Sequence, residues 1–165
     1  MKIRWFIYII TGFIFGVFDF LFHSFISNVL GQGGVSWRML TYGVWLVPLI
    51  PVAIFEIRIS KSKLRAALAC SLTWILSIIS YYLYMAFQLA FIGVSTRPEL
   101  HISSQGDPFF WGNWESVFWG VVVGNIVEWS GVAVVGGFII GFLISFIYLH
   151  LEKFIKLRSM RNEKF

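Results

Sequence analysis

Between Trp5 and Asn28 the chain runs for 24 residues with one charged side chain, Asp19. A helix that crosses a bilayer needs roughly 20 mostly apolar residues. Three further stretches meet that requirement. The four predicted spans are about 5–28, 39–57, 66–94 and 131–151. The third is longer than a bilayer needs, so it tilts or projects.

Composition agrees. Hydrophobic residues make up 58% of the chain, charged residues 13%, and the mean hydropathy is +0.80. Soluble domains carry about 25% charged residues. A water-soluble fold of 165 residues could not hide this much apolar surface. The expected fold class is therefore an all-α integral membrane protein, a single transmembrane domain of four helices in a compact bundle. The single cysteine, Cys70, lies inside an apolar run, so no disulfide framework exists. Lys2 and Arg4 precede an apolar run without a small-residue cleavage site, the pattern of a retained signal-anchor helix.

Charge sets the orientation. Lys2 and Arg4 precede span 1. Arg58, Lys61, Lys63 and Arg65 separate spans 2 and 3. Lys153, Lys156, Arg158, Arg161 and Lys164 follow span 4. With four spans, these eleven of the thirteen basic residues share one side, and Arg38 and Arg97 take the other. The positive-inside rule then places both termini in the cytoplasm of a cell membrane protein, with residues 152–165 as a cytoplasmic tail. That tail suits an interface with anionic lipid. Basic residues do not interleave with aromatics on a water-facing domain, so nucleic acid binding has no support.

Residues 109–130 carry Trp111, Trp114, Trp119 and Trp129. Tryptophan favours the headgroup region. A fifth span here would reverse span 4 and put the basic tail outside. The segment is therefore expected to be an outer-side, Trp-rich interfacial or re-entrant helix. A helix continuous with span 4 is the alternative.

Polar and small residues fall in stripes. Gly12, Gly16, Asp19, His23 and Ser27 share one face of span 1, and Thr73, Ser77, Ser80, Tyr84 and Gln88 one face of span 3. Gly137, Gly141 and Ser145 form a small-xxx-small ridge on span 4. Such ridges let helices approach closely in lipid. The competing reading is that the first two stripes face each other and line a polar path. Pro48 and Pro51 should loosen span 2. The GQGGVS stretch, 31–36, lacks the context of a phosphate loop and reads as a tight connection.

Asp19 is the costly residue. An aspartate near a bilayer centre costs about 2.5–3.5 kcal/mol on insertion scales and is a functional candidate by default. It lies about 21 Å above Trp5 at about 1.5 Å per residue, in the outer half. Asp19 and His23, at i and i+4, form a candidate proton-, ion- or ligand-binding pair. The alternative is a structural pair clamped to Arg38 or to the span 3 hydroxyls. Glu128, near the same boundary, and Arg38 are the remaining ion- or ligand-binding candidates. No HExxH or cysteine pair supports a metal site, and no catalytic set or cofactor is expected. Glu56 reads as an interfacial residue, and Asp107 and Glu115 as a solvated face.

Three functions fit this pattern. The favoured one is a non-enzymatic subunit or accessory component of a larger membrane assembly. Its expected partners are the lipid bilayer and either copies of itself or other membrane subunits. The alternatives are an oligomeric transporter or channel subunit built on Asp19 and His23, and an intramembrane lipid-modifying enzyme.

Overall fold

The computed structural model describes residues 2–92 and 106–162, with side chains from Ile3 to Lys156 within those bounds. Arg97, Glu99, His101, the last residues assigned to span 3 and the tail beyond 162 lie outside the described residues, as do the side chains of Arg158 and Arg161. All regular structure described is helical: α1 (Lys2–Leu30), α2 (Val35–Gly43), α3 (Leu46–Ser60), α4 (Lys63–Phe91), α5 (Phe110–Val117), a π-helical turn (Phe118–Val123) and α6 (Gly124–Asn162). Four helical stretches are long and apolar enough to cross a membrane: Ile3–Leu30, Val35–Ser60, Lys63–Phe91 and Phe110–Lys156.

The connections follow from local chemistry. Gly31 and Gly33 take positive φ angles of 69° and 91°, which lets the chain reverse between α1 and α2. The break between α2 and α3 is a proline effect. Pro48 has no N–H to offer the Val44 carbonyl, and that carbonyl instead accepts from Val47 N at 3.0 Å. Lys61 turns the chain with a left-handed φ of 51°, and the Ser62 hydroxyl then caps α4 by accepting from Arg65 N.

Segment 109–130 is not a separate element. It runs through the π-helical turn into α6 without interruption. This corrects the expected separate Trp-rich helix in favour of the continuous one. No proline falls between Phe109 and the end of α6. The helix begins where Asp107 Oδ1 accepts from Phe109 N at 2.8 Å, just after Pro108 is passed. The 47-residue apolar stretch is about 70 Å long at about 1.5 Å per residue, over twice the thickness of a hydrocarbon core.

α4 is the centre of the bundle. It packs against α1 on one side and α6 on another, while α3 touches α4 and α6. Its buried positions are mostly small: Ala66, Ala67, Ala69, Cys70, Ser71, Thr73, Ser77 and Ser80. Large apolar side chains on α1, α3 and α6, among them Phe6, Phe13, Ile50, Val135 and Ile139, point away from the bundle and are exposed.

The glycine ridges meet α4 at backbone contact. A Cβ on Gly12 would stand 2.5 Å from the Thr73 carbonyl oxygen, and one on Gly16 would overlap the Ser77 carbonyl oxygen. A Cβ on Gly137 would lie 2.8 Å from Ser71 Cα, and one on Gly141 2.9 Å from Ala67 Cα. Hydroxyls complete these seams. Ser80 donates to the Phe13 carbonyl at 2.6 Å and Ser71 to the Val134 carbonyl at 2.9 Å. Thr73, Ser77 and Ser145 donate back to carbonyls one turn earlier in their own helices.

Candidate functional site

The residues that close the α1–α4 seam also limit it. Gly12 and Gly16 against the carbonyls of Thr73 and Ser77 leave no room for a polar path between those stripes. Space opens one turn further along, where α1 passes from Gly16 to Asp19. There a cavity of about 460 Å³ lies among α1, α2, α4 and α6.

Each helix contributes one face to it, and the spacing on each is helical. α1 supplies Asp19 and His23. α2 and the following turn supply Trp37, Thr41, Tyr42 and Trp45. α4 supplies Trp74, Ile78, Tyr81 and Tyr82. α6 supplies Asn125, Trp129 and Val132, and Gln32 of the connecting turn completes the lining. The volume falls in the range of about 300–1,000 Å³ typical of small-molecule sites, as does a chiefly apolar lining with few polar groups.

The rings hold each other in place. Trp45 and Trp74 stand 5.8 Å apart between centroids, and Phe15 backs Trp45 at 5.9 Å. His23 meets the edge of Trp37 at 5.4 Å and of Tyr81 at 6.5 Å, and Tyr81 meets Tyr82 at 5.1 Å. Trp37 Nε1 donates to Ser27 Oγ at 3.0 Å, which fixes the indole to α1. Asp19 is only 3% exposed. Thr41 is 9% exposed, and its hydroxyl oxygen finds no hydrogen-bond partner among the described residues. A buried polar atom without a partner costs about 1–3 kcal/mol, so the site has an unmet capacity to bind.

The remaining sequence candidates lie elsewhere. Arg38 and Glu128 are exposed and do not line the cavity, so neither joins Asp19 there. Among the described residues no three metal-ligating side chains come together. On α4 the predicted stripe divides. Thr73, Ser77 and Ser80 are buried in the seam with α1, whereas Tyr84 packs its ring 5.3 Å from Phe20 and Gln88 is half-buried beyond it. The cavity instead uses the adjoining α4 face, Trp74 to Tyr82. Sequence reasoning followed small and polar residues and passed over that aromatic face. The signal was present as Trp37–Thr41–Trp45, Trp74–Ile78–Tyr81 and Asn125–Trp129, each at helical spacing.

At the opposite end of α1, Glu56 of α3 is buried within the bundle, 2% exposed. Arg4 Nη1 donates to both of its oxygens at 3.2 Å, and the Tyr8 hydroxyl donates to Oε2 at 2.6 Å. Arg4 and Tyr8 sit one turn apart on α1, so one helix face closes on one carboxylate of α3. Nearby, Lys61 pairs with Glu152 at 2.8 Å on the surface and Arg58 donates to the Tyr148 hydroxyl at 3.0 Å.

Compared with protein-family models, curated proteins and solved structures, the chain matches none. The functional reading therefore rests on the cavity itself.

Proposed function

We propose that this chain is an integral membrane protein that works by holding a ligand in the cavity between α1, α2, α4 and α6. Four helices of spanning length support the membrane assignment, as do large apolar side chains turned outward along α1, α3 and α6. An exposed apolar surface of this extent is unstable in water and stable in lipid. The positive-inside rule puts both termini in the cytoplasm and the cavity in the outer half of the bilayer.

The observation that carries the reading is Asp19, a carboxylate buried in an apolar helix that lines a cavity of ligand size. An intramembrane acid is expensive and is a functional candidate by default. The closed seam at Gly12 and Gly16 favours a binding component over a channel, since the space ends one turn below Asp19. The chain then acts as a non-enzymatic component of a membrane assembly, with copies of itself or other subunits as partners. Gly120, Gly124 and Gly131 keep open backbone for such a helix to approach.

A density map of the protein in lipid nanodiscs tests this reading. Density in the cavity beside Asp19 is the expected result. A cavity filled by the chain's own side chains overturns it.

A further inference from the structure

At the end of the bundle that carries the basic residues, α6 presents a row of rings. Phe138 stacks on Phe142 and Phe146 on His150, each pair one turn apart with an interplanar angle of 13°. The ammonium of Lys63, from the start of α4, lies over one ring of each pair. It stands 5.6 Å from the centre of Phe142 and 4.8 Å from that of Phe146. Seven residues beyond Phe146, Lys153 returns to the same face of α6 and is exposed. The interval is about 10 Å along the axis, and helical side chains lean toward the N-terminal end, which shortens it.

The acids described at this end are already engaged. Arg4 and Tyr8 hold Glu56, and Lys61 takes Glu152 at 2.8 Å. Ring faces attract an ammonium but carry no net charge. Among the described residues, then, no carboxylate pairs with Lys63 or Lys153. Toward the middle of α6, Phe142 and Phe146 stay 39% and 49% exposed. The patch thus joins a cationic end to an apolar aromatic strip. A phospholipid with an anionic head on its acyl chains is the complement of that surface.

Resting on the membrane assignment above and not on the cavity, we propose that this patch holds one anionic phospholipid of the cytoplasmic leaflet. Its phosphate accepts from the ammonium groups of Lys63 and Lys153, with the His150 imidazole N–H as a further donor. An acyl chain lies along Phe146 and Phe142. Basic clusters beside spanning helices on the cytoplasmic side bind headgroups of this kind. A soluble phosphate would leave the aromatic strip uncovered, and a zwitterionic lipid would bring its own ammonium against the lysines. The lipid so held bridges the start of α4 and the end of α6.

The test is equilibrium binding of tritiated dioleoylphosphatidylglycerol to the purified full chain in mixed micelles. Salt at about 0.15 M screens charges that lie more than about 8 Å apart. Saturable binding at one site per chain is expected. Dioleoylphosphatidylcholine should compete at least tenfold less well, a comparison made on the wild-type protein and so independent of whether a variant folds. Lys63→Gln and Lys153→Gln should each weaken binding about fivefold or more. Arg65→Gln removes the same charge from another face of α4 and should weaken it less than about twofold. Equal weakening by Arg65→Gln overturns the site and leaves only diffuse attraction. Equal competition by the choline lipid overturns the anionic headgroup. Absence of saturable binding overturns the inference and leaves the cavity reading standing. A chain that stays dispersed in buffer without detergent removes the membrane assignment, and the site with it.

Discussion

The Tyr8 hydroxyl donates to Glu56 Oε2 across 2.6 Å and so ties the start of α1 to α3. Arg4 completes the clamp from the same face of α1. The cavity lies at the far end of the same helix, about 22 Å from Arg4 at about 1.5 Å per residue. One end of α1 is thus fixed by charge and hydrogen bonding, the middle by backbone contact with α4, and the outer part borders open space.

Breaking the clamp unevenly should cost more than removing it. Arg4→Met leaves Glu56 buried beside one hydroxyl, and loss of one partner of a buried pair costs about 3 kcal/mol or more. Tyr8→Phe removes a hydrogen bond to a charged group, worth about 1.5–3 kcal/mol. In the double variant Arg4→Met/Glu56→Met the orphaned charge is gone, so it is expected to be more stable than Arg4→Met alone. Reversible unfolding in mixed micelles, followed by circular dichroism, measures all three. A double variant less stable than Arg4→Met would show that the pair contributes more than its burial costs.

The α1–α4 seam should tolerate loss of a hydroxyl better than gain of a methyl. Gly16→Ala places a Cβ onto the Ser77 carbonyl oxygen, which must shift with its backbone. Overpacking of this kind costs about 1–3 kcal/mol. Ser80→Ala removes one interhelical hydrogen bond, and such bonds average about 0.6 kcal/mol in membranes. The same unfolding assay should rank Gly16→Ala below Ser80→Ala. The opposite order would mean that hydrogen bonding, not close approach, holds the helices.

Much of this seam was legible in the sequence. Small residues at i and i+4 have one physical use in an apolar helix, and Gly12, Gly16, Gly137 and Gly141 all meet α4. The helices themselves were legible for the same reason, since length and apolarity decide them. Two kinds of feature were not. The continuity of 109–130 with α6 was obscured by its tryptophans, which favour an interface but do not end a helix. The cavity was obscured because aromatic residues in apolar spans read as filling. Trp37, Trp74 and Trp129 come from three helices, and only their packing shows that they surround space. The pairing of Glu56 was hidden for a related reason. Its partners Arg4 and Tyr8 lie about 50 residues away, and sequence spacing carries no trace of that contact.

Orientation can be read with single cysteines. Cys70 is the one native cysteine and is buried, so Cys70→Ala gives a silent background. Val35 and Lys153 are both exposed, at opposite ends of the bundle. In intact cells a membrane-impermeant maleimide is expected to label Val35→Cys and to spare Lys153→Cys until the membrane is broken. The reverse pattern would invert the topology and place the cavity in the inner leaflet. Equal labelling of both sites would argue against four spans.

Thr41 offers the sharpest separation between a working cavity and a packing flaw. Its hydroxyl oxygen is buried beside Asp19's cavity and has no hydrogen-bond partner among the described residues. Thr41→Val keeps the shape and removes that oxygen. If the hydroxyl served only the fold, its loss would relieve an unmet desolvation cost, and the empty protein should hold or gain about 1 kcal/mol of stability. If the hydroxyl serves a ligand, the same variant should lose stabilisation by that ligand. A ligand at 100 times its dissociation constant adds about 2.7 kcal/mol to the wild type, and a tenfold weaker site recovers about 1.3 kcal/mol less. The measurement is a pair of melting curves for each protein, one as purified with its co-purifying lipid and one after delipidation. Unchanged or raised stability after delipidation and a smaller shift with the lipid marks Thr41 as part of the site. Equal shifts in both proteins would assign the hydroxyl to the wall of the cavity and leave ligand contact to Asp19 and the rings.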